Sequence, residues 1–263
     1  MNERVASADG TPIAYERAGS GPSVILVGGG ATDRSENAPL AAALATRFTV
    51  FNYDRRGRGA SGDTLPYAVQ REIEDIAALV AEAGGSAHLY GASSGGALAL
   101  EAAAAGVPVD RLAVYEVPYR VDEAWPAQWR AYVDELTALL AAGRRGDAFA
   151  RFMRIAEVPE ESIAAARDAP FWADLEALAP TLAYDAACLG DGRPPASFAS
   201  IDQPALIVTG ERDGPEWVRA LAPAADALVA LLPHGERATL GGGEHVADPE
   251  AFAALLARWL TSR

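Results

Sequence analysis

Hydrophobic and polar positions along this 263-residue chain follow two different periods, and the order of those periods predicts the architecture. Val24-Ile25-Leu26-Val27 is an unbroken apolar run, as expected for a strand covered on both faces. Thr11 to Ala18 reads as an edge strand closed by the turn Gly19-Ser20-Gly21-Pro22, and Phe48 to Tyr53 as a further strand. Between these strands lies a helical segment from about Ala38 to Ala45. Arg71 to Ala83 then puts Ile73, Ile76, Ala77 and Val80 on one side of a helix. Ala87-His88-Leu89-Tyr90 is the next strand, Ala97 to Ala104 a helix, and Leu112 to Tyr115 another strand. Such alternation predicts an α/β fold, a mostly parallel central sheet with helices on both faces.

After Pro118 the pattern changes. Residues 119–199 carry helical periodicity without a strand, in segments Trp125 to Ala142, Asp147 to Glu157 and Phe171 to Leu189, separated by Gly143, Pro159 and Pro170. Strand and helix return at Ala205-Leu206-Ile207-Val208. A last strand is expected from Arg237 to Leu240 and a terminal helix from Pro249 to Leu260, with the proline suited to a first helical position. The expected division is a core of residues 1–118 and 200–263 around an all-helical insertion of residues 119–199.

Half of the residues are hydrophobic, enough for a sizeable core, and the formal net charge is −14. An acidic surface repels phosphate backbones and anionic headgroups, so neither nucleic acid nor a membrane surface is the expected partner. The single cysteine, Cys188, excludes an internal disulfide and is expected as a small packed apolar residue. With no hydrophobic leader after Met1 and no run long enough to span a bilayer, a soluble cytoplasmic protein is expected. The expected partner is a small molecule, and a homo-oligomer is left open.

Chemistry concentrates at Gly91-Ala92-Ser93-Ser94-Gly95, a G-x-S-x-G pentapeptide between a strand and a helix. On so sharp a turn a serine projects from a strained backbone, and the helix N-terminus behind it points N–H groups at developing negative charge. A serine hydroxyl needs a base, and the base needs an acid to orient it. Of three histidines, His88 lies within a strand and is expected as a satisfied core residue, while His234 falls in a surface turn. His245 sits in a Gly-rich loop after the last strand, at the sheet edge where open α/β sheets place their chemistry. Asp213, beyond the strand ending near Thr209, and Glu116, ending the strand Leu112 to Tyr115, are the two candidate acids.

Four motifs in order resemble the α/β-hydrolase fold family over nearly the whole chain. Asp54-Arg55-Arg56-Gly57-Arg58-Gly59-Ala60-Ser61 resembles its D-x-R-G-x-G-x-S segment, and Gly91 to Gly95 its nucleophile elbow. Gly210 to Asp213 resembles the G-x-x-D acid turn, and the approach to His245 the base loop. The resemblance implies a triad of Ser93, Asp213 and His245, with Glu116 as the alternative acid, no metal and no cofactor. It makes residues 119–199 a helical cap and the arginine cluster part of a structural turn. It also implies an oxyanion hole from the backbone N–H groups of Gly30 and Ser94. One departure is Gly28-Gly29-Gly30, where the family often has His-Gly, so Gly29 is an alternative donor.

The implied activity is that of a carboxylesterase-like serine hydrolase, cleaving a small apolar ester or related acyl substrate through an acyl-enzyme on Ser93. A serine at the elbow argues against the haloalkane dehalogenase and epoxide hydrolase branches. It does not separate esters from lactones, thioesters, C–C bonds, hydroxynitrile lyase or perhydrolase chemistry, and a non-catalytic small-ligand binder is a third class. Trp125, Trp129, Tyr132, Phe149, Phe152, Met153, Phe171 and Trp172 either line an acyl pocket or pack the insertion onto the core. A dinucleotide site at Gly28 and Gly30 lacks its third glycine, Asp33 standing there.

Overall fold

A computed structural model describes residues 3–211, 216–241 and 247–262. Its strands are β1 (Glu3–Ala6), β2 (Pro12–Gly19), β3 (Ser23–Val27), β4 (Thr49–Tyr53), β5 (Ala87–Ala92), β6 (Val109–Tyr115), β7 (Ala205–Glu211) and β8 (Gly235–Gly241). They form one eight-stranded sheet in the order β1-β2-β4-β3-β5-β6-β7-β8. The pairs β1/β2 and β2/β4 are antiparallel, and every pair from β4/β3 onward is parallel.

Two apolar layers explain the unbroken runs. Ile25 and Val27 face a core shared with α2 (Val69–Glu82), α3 (Ser94–Ala104) and α9 (Glu216–Leu231). Val24 and Leu26 face the opposite core, filled by α1 (Ala38–Leu44) and α10 (Pro249–Leu260). Alternate side chains of one strand thus enter different cores, and no position is left for a polar residue.

Between β6 and β7 run α4 (Trp125–Ala141), α5 (Arg145–Ile155), α6 (Glu160–Arg167), α7 (Trp172–Leu178) and α8 (Leu182–Cys188), with two short 3-10 turns. Their buried side chains, among them Trp129, Phe149, Ile163, Leu182 and Leu189, belong to the same core as α3.

Several local expectations are corrected. β2 is not an edge strand, because β1, a four-residue strand with Glu3 and Arg4 in it, covers its outer side. The segment Phe171 to Leu189 is two helices, broken where Pro180 removes an N–H and a 3-10 turn intervenes. α6 lies between Pro159 and Pro170 and buries only Ile163, too short a pattern to register. α9 was not anticipated, since Pro223 interrupts its apolar stripe. No helix among the described residues is long and apolar enough to cross a membrane.

Candidate active site

The parallel strands β3, β5, β6 and β7 deliver their C-terminal ends to one edge of the sheet, where a topological crevice is expected to hold ligand. Ser93 follows β5 there and is the N-cap of α3, with φ 52° and ψ −126°. A non-glycine residue rarely takes such a conformation, and its strain, on the order of 1–3 kcal/mol, is held by the surroundings. The Ser93 N–H donates to Tyr115 O at 2.8 Å, and Ser93 O accepts from Gly96 N at 2.9 Å.

The elbow also needs glycine for space. A Cβ on Gly91 would stand 2.4 Å from Gly95 O, and one on Gly95 would stand 2.3 Å from Gly28 O and 2.5 Å from Val27 O. These are main-chain atoms of the first turn of α3, of β3 and of its outgoing loop, so they cannot turn aside. Gly95→Ala is therefore expected to destabilise the protein by about 1–3 kcal/mol through overpacking, read as a lower urea midpoint.

Ser93 and Ser94 lie on the wall of a cavity of about 370 Å³. Its lining is mostly apolar, from Trp125, Trp129 and Tyr132 of α4, Phe152 and Ile155 of α5, Leu182 and Leu189 at α8, Trp217 and Leu221 of α9, and Phe252 of α10. Of the aromatic candidates, Trp125, Trp129, Tyr132 and Phe152 reach the cavity. Phe149 and Trp172 instead pack edge-to-face at 5.9 Å, Met153 packs onto the core, and Phe171 is exposed. Trp217 and Leu221 were missed together with α9. Glu36, Asn37 and Arg120 bring polar groups to the lining.

Gly29 and Gly30 line the same cavity and abut the two serines. A Cβ on Gly29 would lie 3.4 Å from Ser93 Cβ, and one on Gly30 would lie 3.5 Å from Ser94 Oγ. The structure thus brings Ser93, Ser94, Gly29 and Gly30 together. Asp213 and His245 lie outside the described residues. Glu116 is buried at the end of β6 with φ 48°, and its Oε1 accepts from Gly210 N at 2.9 Å, tying the outgoing ends of β6 and β7.

His88 lies near the start of β5, away from this edge. It is buried against Phe48, as expected of a core residue, but among the described residues its Nδ1 has no hydrogen-bond partner, which corrects the expectation that it is satisfied; burial holds its pKa below the ordinary value. His234 is exposed in its turn.

Behind the glycine loop lies a buried ion-pair cluster. Arg55 forks onto Glu72, Nε to Oε2 at 2.7 Å and Nη2 to Oε1 at 2.8 Å, and Nη1 reaches Asp185 Oδ1 at 2.8 Å. Arg58 Nη2 donates to the same Asp185 oxygen at 2.7 Å, as does Ser94 Oγ at 2.8 Å. Burial pushes Asp185 and Glu72 toward the neutral acids. The arginines outweigh it, Arg58 and Arg55 at Asp185 and Arg55 at Glu72, and hold both carboxyls below their ordinary range. A separate pair, Arg56 and Asp75 at 2.7 Å, braces α2. The arginine cluster is therefore internal structure and not an anion-binding face.

Cys188 borders this cluster, its Sγ 3.6 Å from Arg55 Nη2 and 3.5 Å from Tyr67 Oη. It is buried within the apolar core, as expected of a packed residue, with this polar cluster on one side. Burial, with Glu72 nearby, pushes its thiol up to about 12. Asp185 was also missed. In Leu182-Ala183-Tyr184-Asp185-Ala186-Ala187-Cys188 its only signal is a lone acid among apolar neighbours. Asp54, the first residue of the D-x-R-G-x-G-x-S segment, spends its carboxylate on Arg34 and on Ala60 N at 2.8 Å.

The comparison with known families decides the lineage: residues 24–255 match the model of the alpha/beta hydrolase family. The chain belongs to that family. Among solved structures it is similar to an alpha/beta hydrolase from Sphaerobacter thermophilus, with 48% identity, a TM-score of 0.87, and 98% of this chain and 100% of that one covered. It also resembles the enol-lactonase from Burkholderia xenovorans, with 25% identity, a TM-score of 0.70, and 99% and 100% covered. A curated relative is the pimeloyl-acyl carrier protein methyl ester esterase of Xanthomonas campestris, 30% identical over 235 residues, which span 86% of this chain and 89% of that protein. This alpha/beta hydrolase is thus a hydrolase with esterase-like relatives.

Proposed function

We propose that this alpha/beta hydrolase is a serine hydrolase that cleaves a small apolar ester or related acyl substrate. The observation that carries the reading is Ser93, held at φ 52° on the wall of an apolar cavity with Gly30 and Ser94 beside it. Ser93 Oγ attacks the substrate carbonyl, His245 accepts its proton and returns it to the leaving alcohol, and Asp213 orients the imidazole, with Glu116 as the alternative acid. The N–H groups of Gly30 and Ser94 receive the oxyanion; one such donor is worth about 3 kcal/mol. Water then repeats the sequence on the acyl-enzyme. In this reading residues 119–199 form a cap whose α4, α5 and α8 close the acyl side of the cavity.

A volume of about 370 Å³ lies near the small end of ligand sites, which run about 300–1,000 Å³. p-Nitrophenyl butyrate is therefore expected to exceed the palmitate ester in kcat/KM by about 100-fold. Trp129 stacks between Trp125 and Tyr132, at 5.7 and 5.1 Å, so Trp129→Ala is expected to narrow that ratio by about tenfold. Equal rates on both esters in the wild type would contradict a closed acyl pocket. Lactone hydrolysis is the second reading, favoured by the similarity to an enol-lactonase. It is decided in the same screen by a lactone turned over faster than any p-nitrophenyl ester.

A further inference from the structure

We infer that Asp185, on α8 at the wall of the cavity, is a positioning residue that sets the geometry of both oxyanion donors; the inference rests on the serine-hydrolase reading. Its Oδ1 accepts from Ser94 Oγ at 2.8 Å, so it grips the residue whose main-chain N–H is one donor. Its Oδ2 lies 3.4 Å from Ala31 N and accepts from it, next to the other donor in sequence. A Cβ on Gly30 would stand 3.1 Å from that same oxygen, so loop and carboxylate are in close apposition.

Peptide planarity completes the grip. Arg58 Nη1 donates to Gly29 O, and Arg55 Nη1 lies 3.4 Å from Gly28 O and 3.5 Å from Gly29 O. In a trans peptide the C=O and the following N–H point to opposite sides. With Gly29 O turned to the arginines, the Gly30 N–H is turned away from them. Both arginines are in turn oriented by Asp185 Oδ1, at 2.8 and 2.7 Å. Three glycines in succession would leave the loop many conformations, and this cluster selects one.

Charge balance makes the arrangement tolerable for catalysis. A lone carboxylate this close to a developing oxyanion would oppose it. Arg55 and Arg58 against Glu72 and Asp185 sum to no formal charge, so Asp185 contributes hydrogen bonds without an unbalanced negative field. Ion pairing alone would not require one carboxylate to converge on Ala31, Ser94 and both arginines of the loop.

The test compares wild type, Asp185→Asn and Ser94→Ala on p-nitrophenyl butyrate and against an alkyl trifluoromethyl ketone. Attack of Ser93 Oγ on that ketone forms a C–O bond as the Oγ–H bond breaks and its proton passes to His245, and the electron pair of the broken C=O π bond becomes an alkoxide in the oxyanion hole. Asp185→Asn is expected to lose on the order of 10²-fold in kcat, with a parallel loss of ketone affinity and KM little changed. Ser94→Ala keeps the donor N–H and removes the two side-chain bonds of Oγ, the one it donates to Asp185 and the longer one, at 3.3 Å, that it accepts from Arg55 Nη1. It is expected to lose about tenfold in both readouts with its melting temperature near the wild-type value, and it decides the question should Asp185→Asn fail to fold. Wild-type kcat and ketone affinity in either folded variant, or a change confined to KM, would overturn the positioning role. Absence of a fluorophosphonate adduct at Ser93 in the wild type would instead overturn the serine-hydrolase reading, and this role with it.

Discussion

Alanine at position 93 is expected to slow p-nitrophenyl butyrate hydrolysis on the order of 10⁴-fold or more and to abolish the fluorophosphonate adduct, while the protein stays folded. The size follows from the division of labour at the site. Without Oγ no acyl-enzyme forms, and what remains is a binding cavity with oxyanion donors acting on water. The proposed donors are main-chain groups that survive the substitution, so a residual rate above the uncatalysed one is part of the expectation. Ser93→Gly separates chemistry from strain. It should be equally inactive, yet gain on the order of 1 kcal/mol of stability, because glycine adopts φ 52° without the Cβ penalty. That gain is read as a rise of about 2–4 °C in Tm. A Ser93→Ala protein that retains near-full turnover would remove Ser93 from the mechanism. A Ser93→Gly protein less stable than the wild type would show that the elbow is not strained.

The second large effect is on stability. Glu72→Gln breaks the fork between two fully buried groups, Arg55 Nε–Glu72 Oε2 at 2.7 Å and Nη2–Oε1 at 2.8 Å. Arg55 keeps its bond to Asp185, but the cluster is left with one uncompensated buried positive charge; breaking a buried pair costs about 3–5 kcal/mol, so a fall of roughly 6–20 °C in Tm is expected. Replacing both partners with methionine should recover much of the loss, since a well-packed apolar pair avoids the desolvation of two charges. The pH dependence has a definite sign. Burial raises the Glu72 pKa and Arg55 more than reverses it, leaving the folded value below the unfolded one. The stabilisation is therefore fully present above the ordinary glutamate pKa, near 4.3, and is lost as pH falls through the lower folded value. Urea midpoints of wild type and Glu72→Gln should converge as the pH is lowered through that range. A difference that is constant from neutral pH down to pH 3 would mean that the pair is not the source.

Much of the fold was legible in the chain because it depends on local pattern. Val24 to Val27 is apolar throughout since β3 has a core on each face, and Pro249 begins α10 because a first helical position needs no N–H. The elements that escaped lack such a local signal. β1 exists because β2 offers it a pairing edge, α9 tolerates Pro223 within a helix packed on β7 and β8, and α6 buries one residue.

The site divides along the same line. Sequence by itself determined the kind of chemistry to look for, because a G-x-S-x-G turn between strand and helix is a short-range steric pattern, and Gly91 and Gly95 are glycine for want of space. The order Ser93, Asp213, His245 was likewise read from the chain alone, and Asp213 and His245 lie outside the described residues. Tertiary structure alone decided which aromatic residues of 119–199 reach the cavity and which pack behind it, since helical spacing is the same for both. It alone joined Asp185 to Arg55, Arg58 and Ser94, groups separated by 91 to 130 positions. A buried charge announces itself only through its partner, and no local period in a sequence encodes a partner that distant.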